Sequence, residues 1–134
     1  MKRRFQVCLL AALLDVNSCF ADDNPAKAEI FYYGWNVLTR ARLSLEDVRA
    51  HATIKTTIGD AAEAGNLAVW LNLPALITAK PDARDPRLVI DFWSQAGKRS
   101  TYYSDGLWLC SEEGSACRAV DDRFRQRFTF GKVP

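Results

Sequence analysis

The sequence predicts a small α+β domain, in which an antiparallel sheet packs on one main amphipathic helix. β-Favouring segments separated by turns fill the second half of the chain, and one earlier segment carries apolar residues at helical spacing. The strands lie mainly next to one another along the chain, which favours the α+β class over a doubly wound fold. We expect a sheet of about four to six strands that ends in a C-terminal meander.

Residues 1–21 have the layout of a secretory signal peptide. Lys2, Arg3 and Arg4 precede an apolar run over 5–14, and a short polar segment then ends in Ala21. The apolar run, about ten residues long, is too short to span a bilayer core of about 30 Å. We therefore expect cleavage after Ala21, which leaves residues 22–134 as a single exported domain in the periplasm or outside the cell.

A second interpretation of the leader takes 16–19 as a degenerate lipoprotein box, with Cys19 as the point of lipid attachment. Asp15 and Asn17 fit such a box poorly, so we favour the soluble form. Neither interpretation predicts a transmembrane span in the mature chain.

The charge balance argues against a nucleic-acid partner. The whole chain has 18 basic and 16 acidic residues. Lys2, Arg3, Arg4 and Asp15 would leave with the leader, and the mature chain would then carry equal numbers of both. A neutral chain lacks the positive field that drives binding to nucleic acid.

The first half of the domain is predicted to contain two strands and a short helix. Aromatic and β-favouring residues over 30–37 predict the first strand, with Gly34 marking a bulge or a close backbone approach. The polar stretch 22–28 before it predicts a loose start. Ser44 and Asp47 can form a capping box that begins a short helix over 45–51. The β-branched residues of 53–58 predict the second strand.

The main helix is predicted from Asp60 to the residue before Pro74. Asp60 can cap it, and apolar residues then recur at i, i+3, i+4 and i+7, at Ala64, Leu67, Ala68 and Leu71. Pro74 cannot continue the helical hydrogen bonds. We expect this helix to cover one face of the sheet and leave the other partly open, with contacts to Val89, Phe92, Leu107 or their neighbours.

The second half of the chain is predicted to form a loop, a meander and a last helical turn. Residues 80–86, with a proline near each end, predict a surface loop. Four β-favouring segments then predict the meander, over 87–93, 99–103, 107–110 and 117–120. Asp121 and Asp122 can cap a helical turn over 123–128.

Two cysteines, Cys110 and Cys117, remain after the leader is removed, and we expect them to form a structural disulfide. The polar segment 111–116 between them is long enough for a loop between two strands. Closing so small a ring should stabilise the domain by about 2 to 3 kcal/mol. No C-x-x-C motif indicates a redox role.

The sequence offers no catalytic constellation. His51 is the one histidine, so a His-based metal cluster cannot form, and no serine lies in a G-x-S-x-G elbow. Neighbouring acids are explained as helix starts or as a solvated loop, and Asp91 as an outward-facing strand residue. Phosphate-binding glycine motifs are absent from the sequence. We therefore expect a protein that is not an enzyme, with no catalytic residue, metal or cofactor.

Aromatic residues on the predicted strands have two interpretations: they complete a small core or shield the exposed sheet face, or they form a partner-binding surface. Adjacent residues on a strand point to opposite faces, so one residue of each tyrosine pair should face the open side of the sheet. Tyrosine and tryptophan are enriched where interfaces concentrate their binding energy. With two loop acids, the predicted binding residues are Tyr32, Tyr33, Trp35, Tyr102, Tyr103, Glu112 and Glu113.

Arginines cluster near the C-terminus, at Arg118, Arg123, Arg125 and Arg127. The favoured interpretation is a solvated helical end. The alternative is a docking patch for an acidic protein surface or for anionic lipid head groups.

In layout the chain resembles the small exported α+β proteins that bacteria use as periplasmic immunity proteins or enzyme inhibitors. This resemblance implies a non-catalytic protein that neutralises a secreted toxin or hydrolase by steric binding, with the 111–116 or the 81–86 loop entering the partner's cleft. The alternative is a small-ligand or cell-envelope binding protein, with a cavity between the main helix and the sheet lined by Trp70, Trp93 and Trp108. The partner and the oligomeric state, including self-association, stay open.

Overall fold

The structure, a computed structural model, describes residues 24–77, 85–112 and 116–129. Its strands are β1 (Pro25–Tyr32), β2 (Ile54–Ile58), β3 (Leu88–Ser94), β4 (Arg99–Ser104), β5 (Trp108–Ser111) and β6 (Cys117–Ala119). They form one six-stranded antiparallel sheet in the order β2-β1-β3-β4-β5-β6. Its helices are α1 (Leu45–His51), α2 (Ala61–Leu71) and α3 (Asp122–Thr129). The predicted α+β class, the meander and the helical segments are confirmed.

The first strand differs from the prediction because tertiary pairing decides its bounds. β1 lies between β2 and β3, and Ala28 pairs with Ile58 on one side and with Phe92 on the other. Pairing with β3, which begins at Pro25, outweighs the weak strand propensity of its first residues, so the predicted loose start over 22–28 is wrong from Pro25 onward. The strand ends before the predicted Val37. The close approach at Gly34 is confirmed, since a Cβ there would meet Val37 Cγ2 at 2.6 Å.

Both predicted helix starts are confirmed by their capping contacts. Ser44 Oγ accepts from the Asp47 N–H at 3.1 Å, and the Asp47 carboxylate accepts from the Ser44 N–H at 2.9 Å. Asp60 caps α2 by accepting from the Ala62 N–H. α2 ends at Asn72, in the left-handed conformation, and Pro74 falls in a 3₁₀ turn over Leu73–Ala75.

The core fills the space between α2, α3 and one face of the sheet, which we call the core face. Leu67 and Leu71 of α2 are buried as predicted, and Leu88, Ile90 and Phe92 of β3 lie opposite them. The expected contacts with Val89 and Leu107 are wrong. Val89 points to the other sheet face by strand alternation, and Leu107 is 48% exposed in the turn before β5.

The other sheet face, which we call the second face, is less open than predicted because α1 packs on it. Val48 of α1 is fully buried there. Asp91, predicted to face solvent, is 3% exposed beneath the helix and ion-paired with Arg49. Strand alternation therefore places Asp91 correctly on this face but does not show that a helix covers it.

Several predictions fall outside the described residues. These are the leader over 1–21 with Cys19, most of the 81–86 loop, and Glu113 within the 111–116 loop. In the part of the chain that the structure describes, no helix has the length and apolar character needed to cross a bilayer.

Candidate functional site

Strand register arranges the second face into rows of paired side chains. One row contains one residue from each of five neighbouring strands. Its members, from β1 through β3, β4 and β5 to β6, are Phe31, Val89, Tyr103, Cys110 and Cys117. The neighbouring row is polar at its centre, where Asp91 pairs with Thr101. The helix α1 packs on β1 and β3, and the segment before it lies near Tyr103 of this row.

The polar row fixes α1 in place. Arg49 reaches down from the helix, and its Nε and Nη2 atoms each donate to a carboxylate oxygen of Asp91 at 2.9 Å. Thr101 donates its hydroxyl to the same carboxylate at 2.6 Å. The hydrogen bond to Asp91 raises the pKa of Arg49, and burial opposes the shift. The Asp91 carboxylate is therefore fully engaged in holding the helix.

A cleft of about 330 Å³ opens beside this helix on the second face. Tyr103 and Pro86 belong to the sheet side of the cleft, and the residues that lead into α1 form the opposite wall. Glu112, at the end of β5, closes one rim. The residues that line the cleft are Arg42, Leu43, Ser44, Leu45, Pro86, Tyr103 and Glu112.

Opposite charges and a phenol face this cleft. Partial burial raises the pKa of Tyr103, and the nearby Arg42 charge opposes that shift. The Tyr103 hydroxyl thus stays protonated at neutral pH and can donate a hydrogen bond. Arg42 supplies a cation that is ion-paired with Asp85, and the exposed Glu112 supplies an anion. The cleft thus combines a phenol, an ion-paired arginine and an exposed carboxylate.

The disulfide stands directly beside the floor of the cleft. Cys110 and Cys117 face each other across β5 and β6 with their Cα atoms 4.1 Å apart, and the predicted disulfide between them is confirmed. Cys110 is also the register partner of Tyr103. The Glu112 N–H donates to the Thr101 carbonyl at 2.9 Å, which fixes the backbone at the rim. The cleft thus has one covalently braced wall.

Of the predicted binding residues, the structure brings Tyr103 and Glu112 together at the cleft and connects Tyr33 to its rim. The Arg87 guanidinium lies 5.8 Å above the Tyr33 ring. Arg87 is paired with Asp85, and Asp85 is paired with Arg42. A chain of ionic and cation–π contacts therefore joins Tyr33 to the cleft.

The other predicted aromatic residues lie on the core side of the sheet. Tyr32 is 9% exposed and packs edge-on against Trp35. Trp35 is half-buried against Phe124, and its indole N–H donates to the Arg125 carbonyl at 3.0 Å. Tyr102 packs on Phe92. Tyr32, Trp35 and Tyr102 are thus core-side residues, away from the second face.

The three tryptophans expected to line a ligand cavity do not surround a common space. Trp70 stacks on Phe124 on the core side. Trp93 and Trp108 point to the second face at different levels, since Trp93 pairs with Arg99 and Trp108 with Ala119. The helix–sheet interface is occupied by core side chains where that cavity was expected.

Most of the carboxylates that could be considered for acid–base catalysis already have structural partners among the described residues. Asp47 caps α1, Glu46 pairs with Arg49, and Asp121 accepts from the Phe124 N–H at the start of α3. Among residues 24–77, 85–112 and 116–129, no group of three His, Cys, Asp or Glu side chains lies close enough to hold a metal ion.

Sequence reasoning missed Arg42 and Leu43, which lie in an irregular segment that only the folded sheet brings next to Tyr103. Pro86 is the last residue of the 81–86 loop that the sequence led us to expect at the interface. Ser44 was identified as a helix cap, and that local signal says nothing about the cleft beside it. No protein family, curated protein or solved structure matches the chain.

Proposed function

We propose that this chain is an exported, non-catalytic binding protein that docks on another protein through the cleft on its second face. In this proposal the partner is a secreted toxin or hydrolase, which the chain neutralises by covering it sterically. The observation that carries the proposal is the contrast between the two sheet faces. The core face is filled, and the second face presents a braced cleft with charged and aromatic lining.

The filled core favours protein binding over transport of a small molecule. Ala64 and Leu71 of α2 are fully buried, as are Leu88 and Ile90 beneath them. A carrier of apolar ligands needs an enclosed cavity, whereas these side chains pack with one another into one buried cluster among the residues that the structure describes. The concave surface lies instead on the outside of the sheet, where another protein can reach it.

The side chains at the cleft are of the types that stabilise protein interfaces. Tyr103 offers an aromatic ring and a donor at the floor, and Arg42 and Glu112 offer charges of both signs at the rim. Leu38, in the segment that leads to this wall, is 95% exposed. Interfaces concentrate binding energy in aromatic and arginine residues surrounded by contacts that exclude water.

Export is supported by two independent features. The first residues have the basic, apolar and small-residue blocks of a signal peptide. The Cys110–Cys117 disulfide is a bond that persists in oxidising compartments and is rare in the cytosol. Intact-protein mass spectrometry tests this part of the proposal. A mature chain that begins at Asp22 supports cleavage, lipidated Cys19 supports the anchored form, and retention of Met1 contradicts export.

Site-specific photo-crosslinking in the native host tests the docking surface. A photo-reactive residue placed at Leu43, in the cleft wall, should give one discrete protein adduct, and Tyr103→Arg should remove it. The matched control is the same photo-reactive residue at Gln95, which is exposed in the turn between β3 and β4, at the end of β4 away from Tyr103. An adduct of equal yield from Gln95, or none from Leu43, contradicts the proposal.

Small-ligand binding is the second candidate, because the volume of the cleft reaches the lower end of the range of ligand sites. Native mass spectrometry of the purified chain separates the two. A retained small molecule that Tyr103→Arg displaces favours the ligand, whereas an unliganded chain that crosslinks to a protein favours docking.

A further inference from the structure

The C-terminal segment that contains β6 and α3 carries more positive charge than its own acids neutralise. Residues 118–129 contain four arginines and two aspartates. Arg125 pairs with Asp122 and donates to the Gly106 carbonyl at 2.6 Å. Arg118 donates to the Leu71 carbonyl at 2.9 Å and lies over the Phe124 ring. These two arginines therefore tie α3 and β6 to the rest of the fold.

Arg127 is placed differently, because its guanidinium lies over the ring of Trp70. Its guanidinium carbon is 3.8 Å from the centroid of the Trp70 ring. Its Nε atom is buried from solvent and has no hydrogen-bond acceptor among the residues that the structure describes. Burial lowers the pKa of Arg127, which stays charged at neutral pH. A buried N–H without an acceptor is costly, and a group from outside cannot reach it, so the two Nη groups are the donors that remain open to a partner.

Arg123 lies one helical turn before Arg127 and is exposed. Residues four apart share a helix face, so both guanidinium groups lie on one side of α3. Within 24–77, 85–112 and 116–129, neither side chain is in an ion pair. Like charges at this spacing destabilise a helix, and an anion bound between them would relieve the repulsion.

We propose that Arg127, backed by Trp70 and assisted by Arg123, binds a carboxylate on the acidic surface of a second protein. Because Arg127 Nε is buried, its two Nη groups are the donors that a partner can reach, and as a pair they can meet the two oxygens of a carboxylate. The Trp70 indole packs against the guanidinium and limits the access of water to it. This surface, which we call the Arg127 patch, lies on the core-face layer. It is separate from the cleft, and the proposal does not depend on the cleft's function.

Two observations favour a protein partner over a membrane or a nucleic acid. Recognition of anionic membranes takes about four to eight clustered basic residues, whereas the Arg127 patch has two uncommitted arginines. Nucleic-acid binding rests on many phosphate contacts made by a strongly basic surface, and the mature chain carries equal numbers of basic and acidic residues. A single arginine stacked on tryptophan is instead the composition of a protein-interface hot spot.

The test is a titration of the oxidised chain with a short glutamate-rich peptide, followed by NMR. Saturable shifts of the Arg127 Nε–H and Trp70 indole N–H signals are expected. Arg127→Ala should weaken peptide binding about tenfold, and Arg123→Ala by a smaller factor. Arg127→Lys keeps the charge and loses the paired donors, so it should weaken binding several-fold. Lys55→Ala, an exposed cation on β2, is the matched control and should leave the affinity unchanged.

Backbone spectra of each variant establish that it is folded before its affinity is compared. Equal weakening by Lys55→Ala and Arg127→Ala, or peptide shifts that spare Arg127 and Trp70, would overturn the proposal. Parallel titrations use vesicles rich in phosphatidylserine and a single-stranded oligonucleotide. Tighter binding of either probe through Arg127 than of the peptide would overturn the choice of a protein partner.

Discussion

Arg49 on α1 and Asp91 on β3 form a two-pronged ion pair beneath the helix, with both donor–acceptor distances at 2.9 Å. The two residues are 42 positions apart in sequence. Asp91 is nearly inaccessible to solvent, and Thr101 adds a third contact to its carboxylate. Through this pair the sheet determines where α1 lies, and α1 in turn determines one wall of the cleft.

Asp91→Asn is predicted to lower the free energy of unfolding by about 3 kcal/mol or more, because it removes the buried counter-ion of Arg49 and leaves only the exposed Glu46 paired with it. Urea unfolding monitored by circular dichroism measures this loss. Hydrogen exchange of the α1 amides should accelerate more than that of the α2 amides, since α1 loses its attachment.

Glu46→Gln is the matched control, because Glu46 pairs with the same Arg49 but is 78% exposed. Its expected effect is below about 1 kcal/mol, as for other surface ion pairs. If the two variants unfold at the same urea concentration, the Arg49–Asp91 pair does not hold the helix. The double variant Arg49→Leu/Asp91→Leu should recover part of the lost stability, since it leaves no unpaired charge.

Loss of the Cys110–Cys117 disulfide is predicted to lower stability by about 2 to 3 kcal/mol, the chain-entropy value for so short a ring. Urea unfolding with and without a thiol reductant measures it. The Cys110→Ser/Cys117→Ser variant is the control and should unfold at one midpoint in both conditions. Two free thiols in the protein isolated from the cell envelope, or no response to reductant, would contradict the prediction.

Sequence reasoning succeeded where the signal was local. The bounds of α1 follow from the capping box of Ser44 and Asp47, which are neighbours in the chain. The meander strands follow from turn residues between β-favouring runs, and the disulfide follows from the loop between Cys110 and Cys117.

The rest depends on contacts between distant segments, which propensity and alternation do not contain. Alternation assigned Asp91 to a face, but its burial depends on a helix that ends 40 residues earlier, at His51. Trp35 lies beyond the end of β1 and joins the core because α3 supplies Phe124 and the Arg125 carbonyl. The cleft forms only when the segment before α1 and the strand β4 are both in place, so no single stretch of sequence predicts it.

Two glycine substitutions are predicted to have opposite signs. Gly106 has a φ of +96°, and a Cβ there would lie 3.1 Å from Trp35 Cε3, so Gly106→Ala should destabilise the domain by about 1 kcal/mol or more. Gly65 lies inside α2 with no atom within 4 Å of a Cβ. Gly65→Ala should therefore stabilise by about 0.5 to 1 kcal/mol. Thermal unfolding of both variants checks the signs, and a loss of stability in Gly65→Ala would contradict the open space at that position.

The capping box of α1 predicts a pH dependence of stability. The backbone N–H of Ser44, and secondarily its hydroxyl, lowers the pKa of Asp47. Because the folded-state pKa lies below the unfolded one, this contribution is fully present above the unfolded value of about 3.9. It is lost as the pH falls through the lower folded value. Carboxyl carbon NMR of Asp47 across acid pH measures the shift directly.

Ser44→Ala separates the two causes of that shift. Alanine retains the backbone N–H at position 44, so the pKa of Asp47 should rise only part of the way towards its ordinary value. The lost hydroxyl leaves the Asp47 N–H without its cap, and the variant should be less stable by about 1 kcal/mol at neutral pH. Asp47→Asn should remove the acid-dependent contribution while Ser44 still caps the helix. An unchanged acid response in Asp47→Asn would show that another carboxylate carries this part of the pH profile.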